Sequence, residues 1–130
     1  MSIIAVLVGP IEYWWDTAED PDRFNSVEAV RYRAWRDELR DALVDAGILV
    51  YSPHAAFKGA WDERAQAHND FVIGVADVVV NMRPLGVPGK GTDHELELAD
   101  QLGKPVIWAP PGSPILSAVT YVQTAADLVQ

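Results

Sequence analysis

Apolar and polar residues alternate in blocks along this chain, and the length and period of each block predict an element. Residues 3–8 (IIAVLV) form a short unbroken apolar run rich in β-branched side chains, stopped by Gly9-Pro10. Such a run predicts a strand buried on both faces, as in a parallel sheet. Residues 12–25 mix acids, a proline and the aromatic trio Tyr13, Trp14 and Trp15, and read as a loop. Ser26 is placed to cap a helix that begins at Glu28 and Ala29 and runs to about Ala46. Within it Val30, Ala34, Trp35, Leu39, Leu43 and Val44 recur at helical spacing, and Gly47 suits the C-terminal cap.

The same alternation continues. Residues 48–51 predict a second strand, closed by Ser52-Pro53, and 54–60 a loop. Residues 61–75 predict a helix, 77–81 (DVVVN) a third buried strand, and 82–91 a loop with two prolines and three glycines. A helix over 92–102 ends at Gly103, and 106–109 predict a fourth strand. After Pro110, Pro111 and Pro114, residues 118–122 suggest a short further strand before a terminal helical turn. Strands and helices in strict alternation define an α/β domain: an open, mostly parallel sheet of about five strands flanked by helices, Rossmann-like or flavodoxin-like. Residues 1–130 read as one domain, without repeat or linker. Ligands in such sheets bind beyond the carboxyl ends of the strands. That rule gathers Gly9-Pro10-Ile11, Ser52-Pro53-His54 and the 81–92 loop at one rim.

Composition narrows the partners. The net charge is -9, and a phosphate-backbone binder would carry a basic stripe. Arg31, Arg33, Arg36 and Arg40 lie on one predicted helix interleaved with acids, the pattern of a salt-bridged face. Polymeric nucleic acid is therefore not expected as a partner. The chain has no cysteine, which excludes disulfides and thiolate chemistry and fits a reducing compartment. No apolar run reaches membrane-spanning length and the N-terminus lacks a signal-peptide pattern, so a cytoplasmic protein without membrane contact is expected.

The chemistry concentrates in PGKGTDHELELAD, residues 88–100. One reading is local: Thr92 caps the third helix and Glu95, three residues on, completes a capping box. Asp93 then suits the first turn, where the helix dipole favours an acid. The other reading is functional. Glycines permit close backbone approach, N–H groups at a helix start attract oxygen-rich ligands, and a carboxylate one turn in faces the crevice. There it has the makings of a nucleophile on an anomeric carbon. Lys90 does not complete a GxxxxGK[ST] phosphate loop, so nucleoside triphosphate hydrolysis is not expected.

Four features in order carry a resemblance: GPI after the first strand, an aromatic loop, VADVVV at the third strand, and GTxxE opening a helix that ends in GKPV. Together they resemble the nucleoside 2-deoxyribosyltransferase-like superfamily, which includes 2'-deoxynucleoside 5'-monophosphate N-hydrolases. The resemblance spans roughly residues 3–109. It implies a parallel sheet flanked by helices, and Glu95 as the nucleophile that attacks C1' and displaces the base. It further implies that Gly91 and Thr92 hold the sugar 5' end and that Gly9, Pro10 and Ile11 line the base and sugar pocket. Tyr13, Trp14 and Trp15 would stack on the base, although packing or a subunit contact explains them equally well. Members of the group are dimers or larger homo-oligomers, and Trp14, Trp15, Trp35 and Trp61 suit such an interface.

Three positions depart from the pattern. Ala5 stands where members usually carry a tyrosine, and Gly89 where transferases carry an aspartate for the 5'-hydroxyl. Gly89 together with Lys90 suits a 5'-phosphate better than a free hydroxyl. Asn69 stands where a second catalytic carboxylate is usual, and helical phase puts it on the face of Ile73 and Ala76. Asn69 would orient the sugar or base, and Asp70 beside it would take the acid's role through a small shift, or else the chemistry is altered or lost. His54 is a further rim residue with a possible substrate contact, while His68 and His94 fall on predicted helices. No HxH or HExxH pattern supports a metal, and no cofactor is expected. The small-molecule partner implied is a nucleoside or nucleotide. Two alternatives stand beside cleavage or exchange of its N-glycosidic bond. PGKGTDHE is also similar to the PGGxGTxxE loop of phosphoribohydrolases acting on ribonucleoside monophosphates. Ala5 and Asn69 favour instead a non-catalytic nucleotide or nucleotide-sugar binding module.

Overall fold

A computed structural model describes residues 2–9, 22, 25–52, 63–87 and 89–129. In chain order these form β1 (Ile4–Val8), α1 (Val27–Asp45), β2 (Leu49–Tyr51), α2 (Glu63–Val75), β3 (Val78–Asn81), α3 (Lys90–Gln101), β4 (Val106–Trp108) and α4 (Ile115–Val129). The strands make one sheet, all parallel, in the order β2-β1-β3-β4. This is the α/β architecture expected, with four strands among the described residues. Residues 118–122 are the exception: they belong to α4 and add no strand. Ala118, Val119, Val122 and Ala126 recur at helical spacing and are buried, so packing on the sheet overrides the β-branched composition.

Strand residues alternate between two faces. Ala5, Leu7, Val78 and Val80 meet α1 and α4, whereas Val6, Val8 and Val79 meet α2 and α3. The strand order places a topological switch between β1 and β3, whose last register pair is Val8 opposite Asn81. Asp77 fixes the other end of this strand pair. Its Oδ2 accepts from the Ile4 N–H at 2.8 Å and its own N–H donates to the Ile4 carbonyl at 2.8 Å. The aspartate of VADVVV is thus a structural clamp at the amino ends of β1 and β3, opposite the carboxyl ends that form the crevice.

Ser26 caps α1 as expected, its Oγ accepting from the Ala29 N–H at 3.2 Å. Gly47 follows the helix at φ 84, a conformation that favours glycine. The buried stripe of α1 is Ala29, Tyr32, Arg36, Leu39 and Leu43, so the helix is rotated from the expected phase and Val30 and Val44 face solvent. Trp35, expected at a subunit contact, packs against the α1–α4 core and donates from Nε1 to the Ser113 carbonyl at 3.0 Å. The arginine-rich face is salt-bridged, with Arg36 and Arg40 both on Asp37 and Arg40 also on Asp41. Arg36 is nevertheless buried, which pulls its pKa below the usual guanidinium value against the opposing pull of Asp37. Among the described residues no helix is long and apolar enough to cross a membrane.

Candidate active site

α3 begins at Lys90, two residues before the expected start, after an extended Gly89 (φ -171, ψ 111) that provides no side-chain cap. Thr92 is therefore inside the first turn, and the capping box expected of Thr92 and Glu95 does not form. Instead Thr92, Glu95 and Ala99 make the inward stripe of the helix, at 3%, 5% and 0% exposure. Two polar side chains thus occupy positions that ordinarily belong to the core. The Thr92 Oγ1 is buried without a hydrogen-bond partner among the described residues.

α2 supplies the opposing wall. Its inward stripe is Ala65, Asn69 and Ile73, continued by Ala76, which is the phase the sequence predicts for Asn69. Asn69 is fully buried and its amide lies near enough to Glu95 to favour the carboxylate form. Neither Asn69 Nδ2 nor Oδ1 completes a hydrogen bond of normal geometry among the described residues. Gln66, one turn earlier on α2, also favours the Glu95 carboxylate and donates from Nε2 to Asp70 Oδ1 at 2.9 Å. Asp70 turns away from Asn69 toward α3, where His94 Nε2 lies 3.0 Å from Oδ2 and 3.1 Å from Oδ1.

Burial dominates the electrostatics of Glu95. It pushes the carboxyl up to about 7, assisted by the negative charge of Asp70. The Asn69 and Gln66 amides and the His94 charge oppose the rise. His94 shifts upward from its ordinary value, chiefly through its hydrogen bond to Asp70. Tyr51, at the end of β2, is pushed up to about 12 by burial and by the charge of Glu95, and its hydroxyl is buried without a partner among the described residues. Its ring lies 5.7 Å from that of His68.

The loop between β3 and α3 is braced from below. The Arg83 N–H donates to Asn81 Oδ1 at 3.0 Å, and the Trp108 Nε1 donates to the Arg83 carbonyl at 3.3 Å. Arg83 Nη2 reaches the Gly89 carbonyl at 3.4 Å and pairs with Asp93. Gly91 has no left-handed φ, and among the described residues a Cβ there would meet Gln66 Oε1, at 3.8 Å, an ordinary contact.

Of the expected site residues, Glu95, Asn69, Asp70, Gly91 and Thr92 converge where α2 and α3 meet, with Gly89 at the α3 start and Gly9 directly after β1. Pro10, Ile11, Tyr13, Trp14, Trp15 and His54 lie outside the described residues, as does the Lys90 side chain. Sequence reasoning missed Gln66, Tyr51, Arg83 and His94 as members of the cluster. For Gln66 a signal existed, since it sits one helical turn before Asn69 and Asp70. Among the described residues no three His, Asp or Glu side chains converge as a metal site. Comparison with protein-family models and with curated protein sequences finds no match to the chain.

Proposed function

We propose that the protein cleaves or exchanges the N-glycosidic bond of a (deoxy)nucleoside or nucleoside 5'-monophosphate, with Glu95 as nucleophile. The observation that carries this reading is a glutamate 5% exposed, faced by amide side chains and held near neutral pKa, on the helix that follows β3. A carboxylate shielded from water is a stronger nucleophile than a hydrated one, and perturbed carboxyls concentrate at reactive sites. In the reaction Glu95 bonds to C1' as the bond from C1' to the base nitrogen breaks. Water, or a second base, then displaces Glu95 from C1'. The Asn69 amide, which completes no hydrogen bond of normal geometry among the described residues, orients the sugar. The N–H groups at the uncapped start of α3 receive the 5' oxygen or phosphate. Asp70 is the neighbouring carboxylate, already engaged by Gln66 and His94. Self-association of the chain belongs to the same reading.

The test is chromatography of base release from deoxynucleosides, deoxynucleoside 5'-monophosphates and ribonucleoside 5'-monophosphates, with and without an acceptor base. The wild-type protein is expected to release base from at least one class, and Glu95→Ala to lower the rate by roughly 10³-fold or more. A new nucleoside in the presence of acceptor identifies transfer, and turnover confined to ribonucleotides identifies a phosphoribohydrolase. If folded wild-type protein releases no base from any of them, the enzyme reading is wrong. Asn69 favours a second reading, a non-catalytic nucleotide-binding module, because an amide replaces an acid at the centre of the cluster. In that case the nucleotides bind to the wild-type protein without turnover.

A further inference from the structure

Glycosidic cleavage at Glu95 has a second requirement. The departing heterocycle accepts the electron pair of the broken C1'–N bond and leaves poorly unless a proton reaches it. Asn69, which faces Glu95 most directly, has no proton to exchange at neutral pH. The Tyr51 phenol is held protonated, its pKa pushed up to about 12. Both oxygens of Asp70 already accept hydrogen bonds, from Gln66 and from His94. Among the described residues around Glu95, His94 combines a hydrogen bond to Asp70, a charge felt by Glu95 and access to solvent: its side chain is 51% exposed.

Resting on the glycosidase reading above, we infer that His94, oriented by Asp70, is the proton donor to the leaving base and the proton acceptor from water. With Nε2 turned to Asp70, Nδ1 is the nitrogen presented to substrate, an acid–base residue held by a carboxylate as general acid–base catalysis requires. In the first step Glu95 forms its bond to C1', the C1'–N bond breaks, and the Nδ1 proton passes to the leaving nitrogen. In the second, water bonds to C1', its proton passes to Nδ1, and Glu95 leaves as a carboxylate. Asp70 is a positioning residue, holding the imidazole through Nε2.

Charge supports the same assignment. His94 faces Asp70 on α2 and Glu95 and Glu97 on its own helix, and all three acids favour the imidazolium. Activity then falls on the acid side as Glu95 is protonated, near 7, and on the basic side as His94 is deprotonated above its ordinary value. The two limbs belong to the coupled pair.

The experiment compares wild type, Glu95→Ala, His94→Gln, His94→Ala and Asp70→Asn on the best nucleotide substrate. A parallel series uses a 4-nitrophenyl deoxyribofuranoside with the same 5' group, whose leaving group needs no proton. His94→Gln is expected to lose roughly 10²-fold or more on the nucleotide and less than about tenfold on the nitrophenyl compound. It also loses the basic limb of the kcat/KM profile, and added imidazole partly restores His94→Ala. Asp70→Asn moves the basic limb to lower pH, which a merely structural role would not do. Activity of His94→Gln within about threefold of wild type on the nucleotide, or an equal fall on both substrates, overturns the assignment. In either case loss of activity in Glu95→Ala leaves the glycosidase reading intact. Absence of base release by the wild-type protein overturns both.

Discussion

The two faces of the sheet share the same strands and differ in what their helices bury. Against Ala5, Leu7, Val78 and Val80, α1 and α4 bring Leu39, Leu43, Val122 and Ala126, an apolar set joined by Tyr32 and by Arg36, which pairs with Asp37. Against Val6, Val8 and Val79, α2 and α3 bring Ile73 and Ala99 but also Asn69, Thr92 and Glu95. Each buried polar group left without a partner costs about 1–3 kcal/mol. One face thus favours folding, and the other sacrifices stability to keep a carboxyl and its amide neighbours out of water. Such sacrifice is the usual mark of a site where chemistry, not folding, sets the residues.

Truncation of the apolar face provides the larger effect. Leu39 is fully buried in the α1/α4 core, so Leu39→Ala is expected to destabilise the protein by about 2–5 kcal/mol in urea unfolding. The titration of Glu95, on the opposite face, stays where it was. A shift in that titration would mean that the two faces are not independent.

Removing the charge from the polar face has the opposite sign. Between pH 4.5 and 7 the unfolded chain releases the Glu95 proton that the folded chain retains, because burial raises the folded pKa from 4.5 to about 7. Stability from this group is complete below 4.5 and is lost as pH rises through 7. Glu95→Gln abolishes that loss, so the variant is expected to be more stable than wild type by about 3 kcal/mol at pH 8, with the difference shrinking toward pH 4.5. Equal stability of the two proteins at both pH values would place Glu95 in water, and the comparison between the faces would collapse.

The apolar face was legible in the sequence because strand runs such as 3–8 and 77–81 need no partner to be recognised. The Ser26 cap, Gly47 and the phase of Asn69 were legible for the same reason, each being a property of one helix. Errors arose where local pattern and packing disagree. Residues 118–122 look like a strand but present Ala118, Val119 and Val122 to the core as a helix. Thr92 and Glu95 have the spacing of a capping box, yet α3 starts at Lys90 and turns both inward. The resemblance, not the local pattern, pointed to Glu95, Asn69 and Asp70 as candidate site residues. Tyr51, Arg83 and His94 join them through contacts between separate segments, which no single-segment pattern encodes, whereas Gln66 sits one helical turn before Asn69 and Asp70 and was open to the same reading.

The titration of Glu95 itself tests the central claim most directly. Carbon-13 NMR of protein labelled at glutamate side chains, with Glu95→Gln to assign the resonance, reads the carboxyl midpoint. The buried, amide-lined site predicts a midpoint near 7, about where burial pushes the group. A midpoint at the ordinary value of 4.5 would show a hydrated carboxylate and contradict a shielded nucleophile on this face.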